Sequence, residues 1–134
     1  MVENNRDRGA SAVEFALVAP LLVALLLGIL AFGHAFHVQS VLSNAARDAV
    51  RVVSLSNASN QTDPQTAARE TAINSAQPSV SLTNAHIDIT PDACGAAENV
   101  TSETATVTIT YPLQLLGGIG NITLTGKGTM RCNG

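Results

Sequence analysis

The sequence predicts an α+β protein in which a long N-terminal transmembrane helix continues into a small domain with a short helix and a three-stranded antiparallel sheet. Three observations carry that expectation. Residues 9–36, GASAVEFALVAPLLVALLLGILAFGHAF, form an almost uncharged apolar run. A helical apolar period continues beyond that run to about Ser54. From Val80 the period drops to two, the alternation of strands with one buried face.

Within residues 12–33 the one charge is Glu14. That length corresponds to roughly 33 Å of helix, enough to cross a hydrocarbon core of about 30 Å. A carboxylate in lipid is costly, and Glu14 stands about one turn inside the N-terminal end of the run, where it can reach the interface or a partner. Secretory signals place their small-residue cleavage site after the apolar run. Ala31 and Gly33 offer such a site, but the run is long for a removable segment, so a retained anchor is expected. Arg6 and Arg8 precede the run, partly offset by Glu3 and Asp7, and the next basic side chain is Arg47. This bias puts the N-terminus inside and everything beyond about Phe36 outside the cytoplasm.

The chain has 134 residues, of which roughly a hundred remain for the domain, enough for a modest core. Aromatics make up 3% with no Trp, so that core is built from Val, Ile, Leu and Ala. A formal charge of −3 and a pI near 5.4 supply no basic stripe and argue against nucleic acid as a partner.

Past the membrane segment, Val38, Val41, Leu42, Ala45, Ala49, Val52 and Val53 recur at helical steps, with Arg47, Asp48 and Arg51 mostly off that face. One helix from about Ser11 to Ser54 is the economical reading. Pro20 removes one of its hydrogen bonds. Gly28 and Gly33 allow close helix approach, although Gly28 is equally ordinary membrane-helix composition. Residues 56–63, SNASNQTD, are a polar loop. Asp63 is placed as an N-cap before a first-turn proline, Pro64, and PQTAARETAINSAQ reads as a short helix with Ala68, Ala72, Ile73 and Ala76 inward, ended before Pro78.

The first strand segment, SVSLTNAHIDIT, changes phase near Asn84, because Val80 and Leu82 share one parity and Ile87 and Ile89 the other. A bulge or a break is expected there. In TATVTITY, Ala105, Val107, Ile109 and Tyr111 face one side and the threonines the other, with Pro112 ending the run. In ITLTGKGTMRC, Ile122, Leu124, Met130 and Cys132 share a parity opposed to Thr123, Thr125, Lys127, Thr129 and Arg131. Three such strands fit a meander with the long helix across its apolar face. The first and third strands then run the same way, and Cys94 and Cys132 follow their C-terminal ends. An even cysteine count outside the cytoplasm reads as a Cys94–Cys132 disulfide, whose loop closure stabilises by up to roughly 4 kcal/mol in the chain-entropy model.

Little in the sequence points to catalysis. His34 and His37 stand at i and i+3 near the outer membrane boundary with no carboxylate or Cys nearby, so they read as an interfacial polar pair rather than a metal site. His86 reads as a surface residue of a strand, and Asp88 and Asp92 as turn chemistry around Thr-Pro. No nucleophile with a base and no phosphate loop is visible, so no enzyme, cofactor, metal or small-molecule substrate is expected. The Asn-x-Ser/Thr triplets at Asn57, Asn60, Asn99 and Asn121 are what an Asn- and Thr-rich surface yields by chance.

The N-terminal spelling is more specific. A short polar leader, MVENNRDR, ends at Gly9, small residues follow, Glu14 is the fifth residue after the glycine, and Phe15 opens the apolar run. This resembles the class III signal of type IV pilins, which a prepilin peptidase cuts after the glycine. The resemblance implies a cut between Gly9 and Ala10 with the helix retained. Taken in order, AVEFALVAPLL, NAARDAVRVVSL, TATVTITYPLQLL and ITLTGKGTM resemble the TadE family of pseudopilins from the tight adherence (Tad, or Flp) pilus system, over nearly the whole chain. Two departures stand out. Ala49 and Val50 replace a usual Gly-Ala pair after the acidic residue, where helix approach is expected to be less close, and Phe15 replaces a frequent Tyr.

The resemblance implies a division into a leader (1–9), a transmembrane helix (10–36) and an extracytoplasmic pilin-like domain (37–134). It implies a single-pass protein of the bacterial cytoplasmic membrane, either entering the pilus or remaining an assembly factor. Its partners would be the prepilin peptidase and other pilins and pseudopilins of the Tad system. It also implies a role for Glu14, which in pilins is thought to pair with the N-terminal amine of a neighbouring subunit. The alternative is an uncut signal-anchored accessory or binding domain, for which a charge at Glu14 has no use.

Overall fold

The first helix, α1 (Asn5–Leu55), forms because a long stretch of Ala, Leu and Val with few breakers is followed by a segment with one apolar face. In this computed structural model the described residues are 5–55, 63–91, 94, 104–115, 118 and 120–132, with side chains described from residue 9. The helix begins six residues before the expected Ser11 and continues through Pro20. The chain divides into two compact units, Met1–His34 and Ala35–Gly134.

In the first unit α1 leaves its apolar side chains uncovered, Val13, Phe15, Leu25 and Phe32 among them, each more than half exposed. The segment is long and apolar enough to cross a membrane.

In the second unit the same helix supplies one wall of a core. Val38, Leu42, Ala45, Ala46, Ala49, Val50 and Val53 are at most 1% exposed. The expected face is present but broader, since Ala46 and Val50 join it while Val41 and Val52 lie at its margin. Helix α2 (Pro64–Ala76) starts as expected: Asp63 Oδ1 accepts from Gln65 N at 3.3 Å, and Pro64 takes the first turn, where a missing N–H costs nothing. Ala68, Ala72 and Ala76 are fully buried, and Ile73 is half-buried. Ser75 Oγ donates to Asp48 Oδ2 at 2.9 Å and ties α2 to α1.

The sheet is a meander in the order β1 (Ile87–Thr90), β2 (Thr104–Gln114), β3 (Asn121–Arg131), antiparallel throughout. The expected phase change is a 3-10 turn at Asn84–His86. It separates buried Val80 and Leu82 from buried Ile87 and Ile89, and leaves the first strand only four residues long. Pro112 does not end β2. It pairs with Thr123 inside the strand, three residues beyond Ile109, where the β1 ladder stops at Ile87. A proline is tolerated where its missing N–H faces an edge with no ladder partner.

Gly126 and Gly128 of β3 lie against the α1 backbone. A Cβ built on Gly126 would stand 2.5 Å from the Leu42 carbonyl carbon and oxygen, and one on Gly128 would stand 2.5 Å from Ala46 O and 2.9 Å from Arg47 N. Strand glycine at a close backbone approach is the physical reason for both. One helical turn separates Leu42 from Ala46 and one strand repeat separates Gly126 from Gly128, so β3 runs in the same direction as α1. Near the other end Ser54, 2% exposed, satisfies its buried hydroxyl within 2.9 Å of Arg51 O and 3.0 Å of Met130 Sδ. Cys94 and Cys132 are disulfide-bonded with 5.4 Å between Cα atoms, joining the ends of the two parallel-running strands.

Two tests follow from this packing. Gly126→Ala and Gly128→Ala each push a methyl into helix backbone that has no rotamer with which to yield. Each is expected to cost about 2 kcal/mol or more, a fall in Tm of roughly 10 °C for a domain this size, whereas Lys127→Ala between them is expected to stay within about 0.5 kcal/mol. Thermal melts of the three variants check this. Cys132→Ser is expected to lower the melting temperature without changing membrane insertion, and non-reducing peptide mapping of protein from its native compartment should recover the Cys94–Cys132 peptide pair.

Candidate functional site

The residues singled out by sequence at the N-terminus, Gly9, Ala10, Glu14 and Phe15, all lie on α1 in the first unit and are all exposed, Phe15 by 75%. Helix geometry fixes their relation. Ala10 and Glu14 are four residues apart, which returns the helix to within about 40° of the same direction and about 6 Å further along the axis. The Cα–Cβ bonds of a helix tilt toward its N-terminus, so the Glu14 carboxylate leans back toward Ala10. A Cβ on Gly9 would meet nothing within 4 Å. Among the described residues, packing within the chain sets no demand for a small residue there. The Gly9–Ala10 bond itself lies in the helix, just over one turn from its start at Asn5.

The other candidates are dispersed. His34 is exposed in the first unit. In the second, His37 Nε2 lies 3.4 Å from Ser79 Oγ, so its partner is a hydroxyl on the chain leaving α2. Among the described residues no three His, Cys, Asp or Glu side chains come together as a metal site. Asp88 is exposed on β1, Asn121 is exposed at the start of β3, and Asp92, Asn57, Asn60 and Asn99 fall outside the described residues. A shallow open groove on the outer face of α1 is lined by Phe36, Gln39, Ser40, Ser43, Asn44 and Arg47, with no carboxylate or imidazole to activate either serine.

His86 corrects the sequence reading of a strand surface residue. It closes the 3-10 turn, half-buried, with Nδ1 accepting from the Thr83 backbone N–H at 3.2 Å and its ring edge-on to Tyr111, centroids 5.5 Å apart. The acceptor role at Nδ1 requires the Nε2–H tautomer. Arg69 was also not singled out by the sequence. Its Nη1 donates to Asn84 O at 2.8 Å and Ile87 O at 2.6 Å, binding α2 to the turn and to β1. Both are structural supports. The signal that was available for Gly126 and Gly128 was their position on the apolar parity of β3, where a missing side chain leaves a gap for the helix to fill.

Residues 9–51 match the family model TadE, described as TadE-like protein. The match begins at Gly9, takes in Ala10, Glu14 and Phe15, and ends inside α1. No curated protein and no solved structure is significantly similar to the chain.

Proposed function

We propose that this chain is a minor pilin of the Tad pilus system, cut by a prepilin peptidase between Gly9 and Ala10, held in the cytoplasmic membrane by α1 with its second unit outside, and assembling with other pilins through that helix. The observation that carries the reading is Glu14. It is the single charge in residues 12–33, the exposed apolar stretch of α1, and lies within the TadE-like segment, one helical turn from the position where a cut would create an α-amino group. The TadE-like match supports a Tad-pilus-associated role in general. The processing and pairing roles are the further step.

The physics of the pairing is direct. An α-amino group on Ala10 is cationic at neutral pH, its unperturbed pKa being near 8. A carboxylate in lipid is costly, and a cation at the same depth on a neighbouring helix lowers that cost. Association is then favoured in the one axial register that brings the two to the same level. Because the Gly9–Ala10 bond lies within the helix, the peptidase must first unwind the initial turn, where helix ends fray most readily. No side chain in this chain is assigned a catalytic role, and no cofactor or small-molecule substrate enters the reading.

Intact-mass and N-terminal analysis of membrane-extracted protein is expected to show a chain beginning at Ala10 with the apolar helix retained. A bulky residue at Gly9 is expected to leave the precursor uncut. An intact leader on the wild-type protein, or a start beyond Phe36, points to the plain signal-anchored accessory domain instead. Glu14→Leu is expected to be cleaved and inserted normally but to co-purify poorly with other pilins and to reduce piliation. Normal assembly of Glu14→Leu overturns the pairing mechanism.

A further inference from the structure

β3 is a border strand, since the sheet order is β1-β2-β3. Along an antiparallel strand the N–H and C=O groups of successive residues point alternately to one side and the other. Three observations fix which residues of β3 point away from β2. Leu115 N donates to Gly120 O at 3.0 Å, so Gly120 and the alternate residues after it, Ile122, Leu124, Gly126 and Gly128, face β2. Pro112, which has no N–H to give, is paired with Thr123. Thr125 O accepts from Gln39 Nε2 of α1 at 2.7 Å, outside the ladder. Together they put the backbone groups of Thr123, Thr125, Lys127, Thr129 and Arg131 on the open side of the sheet.

An open edge is a template for another strand, and proteins commonly keep such edges short or interrupt them with proline. β3 runs for 11 residues without a proline, roughly twice the usual strand of 5–6. The side chains of its five outward residues are exposed, and among the described residues Gln39 alone bonds to their backbone. Gln39, Ser43 and Arg47 follow one another at intervals of four on one face of α1 and line its shallow groove. Because Gln39 reaches an outward carbonyl of β3, that helix face borders the open edge. The charge along this border has one sign. Lys127 and Arg131 stand on the strand and Arg47 on the helix, and residues 104–134 contain no Asp or Glu. None of the three cations has a carboxylate partner among the described residues, and Asp48, next to Arg47, is held by Ser75 of α2.

We propose that the open edge of β3 takes an extended acidic segment of another protein as a fourth strand of the sheet. Main-chain hydrogen bonds to the outward residues supply the attachment, as in other cases of strand addition. Carboxylates opposite Lys127 and Arg131 supply the selection, because opposite charges on facing strands stabilise the pair and like charges oppose it. The same rule disfavours a second copy of this chain, whose own Arg47, Lys127 and Arg131 would enter a border that is already cationic. The site lies wholly in the second unit. It needs neither the cut at Gly9 nor the pairing of Glu14, so it stands or fails separately from the pilin reading.

The test uses the full chain in detergent micelles and a capped peptide, Val-Thr-Glu-Thr-Val-Thr-Glu-Thr-Val, whose two glutamates share one face at the spacing of Lys127 and Arg131. Binding is read by fluorescence anisotropy and located by amide hydrogen exchange resolved by NMR. The peptide is expected to slow exchange severalfold at Thr123, Lys127, Thr129 and Arg131, and to leave Leu124, Gly126 and Gly128, already bonded to β2, unchanged. A peptide with lysine in place of both glutamates is expected to bind about tenfold more weakly, two facing pairs having turned from attraction to repulsion. Lys127→Glu combined with Arg131→Glu is expected to reverse that preference. If this variant does not fold, the two peptides on the wild-type chain carry the comparison. N-methylation of alternate peptide residues is expected to abolish binding in one phase and spare it in the other, because an added strand pairs through one edge. Absence of binding, equal binding of the acidic and basic peptides, or protection away from β3 overturns the proposal. Protection of the outward amides that rises with protein concentration in the absence of peptide assigns the edge to a second copy and overturns it as well.

Discussion

The close contact of Gly126 and Gly128 with the α1 backbone governs the rest of the second unit. Two missing side chains let a strand lie on a helix at a distance that any Cβ would forbid. Once that contact is made, the direction of β3 along α1 is set, β2 follows by its antiparallel ladder, and β1 follows β2. The small residues on the other side of the core answer the same constraint. Ala45 and Ala49 on α1, and Ala68, Ala72 and Ala76 on α2, supply a second thin wall. A domain with 3% aromatic residues and no tryptophan cannot fill a wide core, so its layers must come together closely instead.

The sequence was most informative where one physical signal dominated. Hydropathy and helical period were enough for α1 and its inward face at Val38, Leu42, Ala45, Ala49 and Val53, and Asp63-Pro64 was enough for the start of α2. Period two identified β2 and β3, and the parity switch between Leu82 and Ile87 located the interruption now seen as the turn at Asn84–His86. Less was legible where two signals competed. Pro112 reads as a stop because proline cannot donate to a ladder, but whether it faces a ladder depends on where β1 ends, which is a property of the partner strand. Ala46 and Val50 were missed because the face of α1 must meet both the sheet and α2, and a single periodic stripe describes only one contact.

The candidate site shows the opposite balance. Gly9, Ala10, Glu14 and Phe15 are legible in the sequence, yet the fold adds little to them beyond helical spacing, since none of them is buried against another part of the chain. On the proposed function their meaning depends on molecules outside it: a peptidase for Gly9, lipid around Phe15, and a neighbouring amine for Glu14. His86 and Arg69 are the converse case. Nothing in their spacing announces them, but each satisfies backbone groups at the point where the chain passes from α2 into the sheet.

The two units are therefore stabilised by different solvents. The second buries its apolar side chains against one another, satisfies the buried side-chain polar atoms among the described residues, and carries a disulfide at the end of the sheet where Ser54 meets Met130. The first exposes nearly all of its apolar surface and has no internal partner for it. Lipid or other helices must provide that burial, and lipid alone does not discriminate one depth or rotation from another, because its tails are as apolar as leucine. Specificity within the membrane then has to come from the few groups that lipid cannot satisfy. Along residues 12–33 the one ionisable group of that kind is Glu14. A helix that needed only to anchor the second unit would be more stable without it, and on the proposed function its presence one turn from Ala10 is the feature that turns an anchor into a subunit with a defined register.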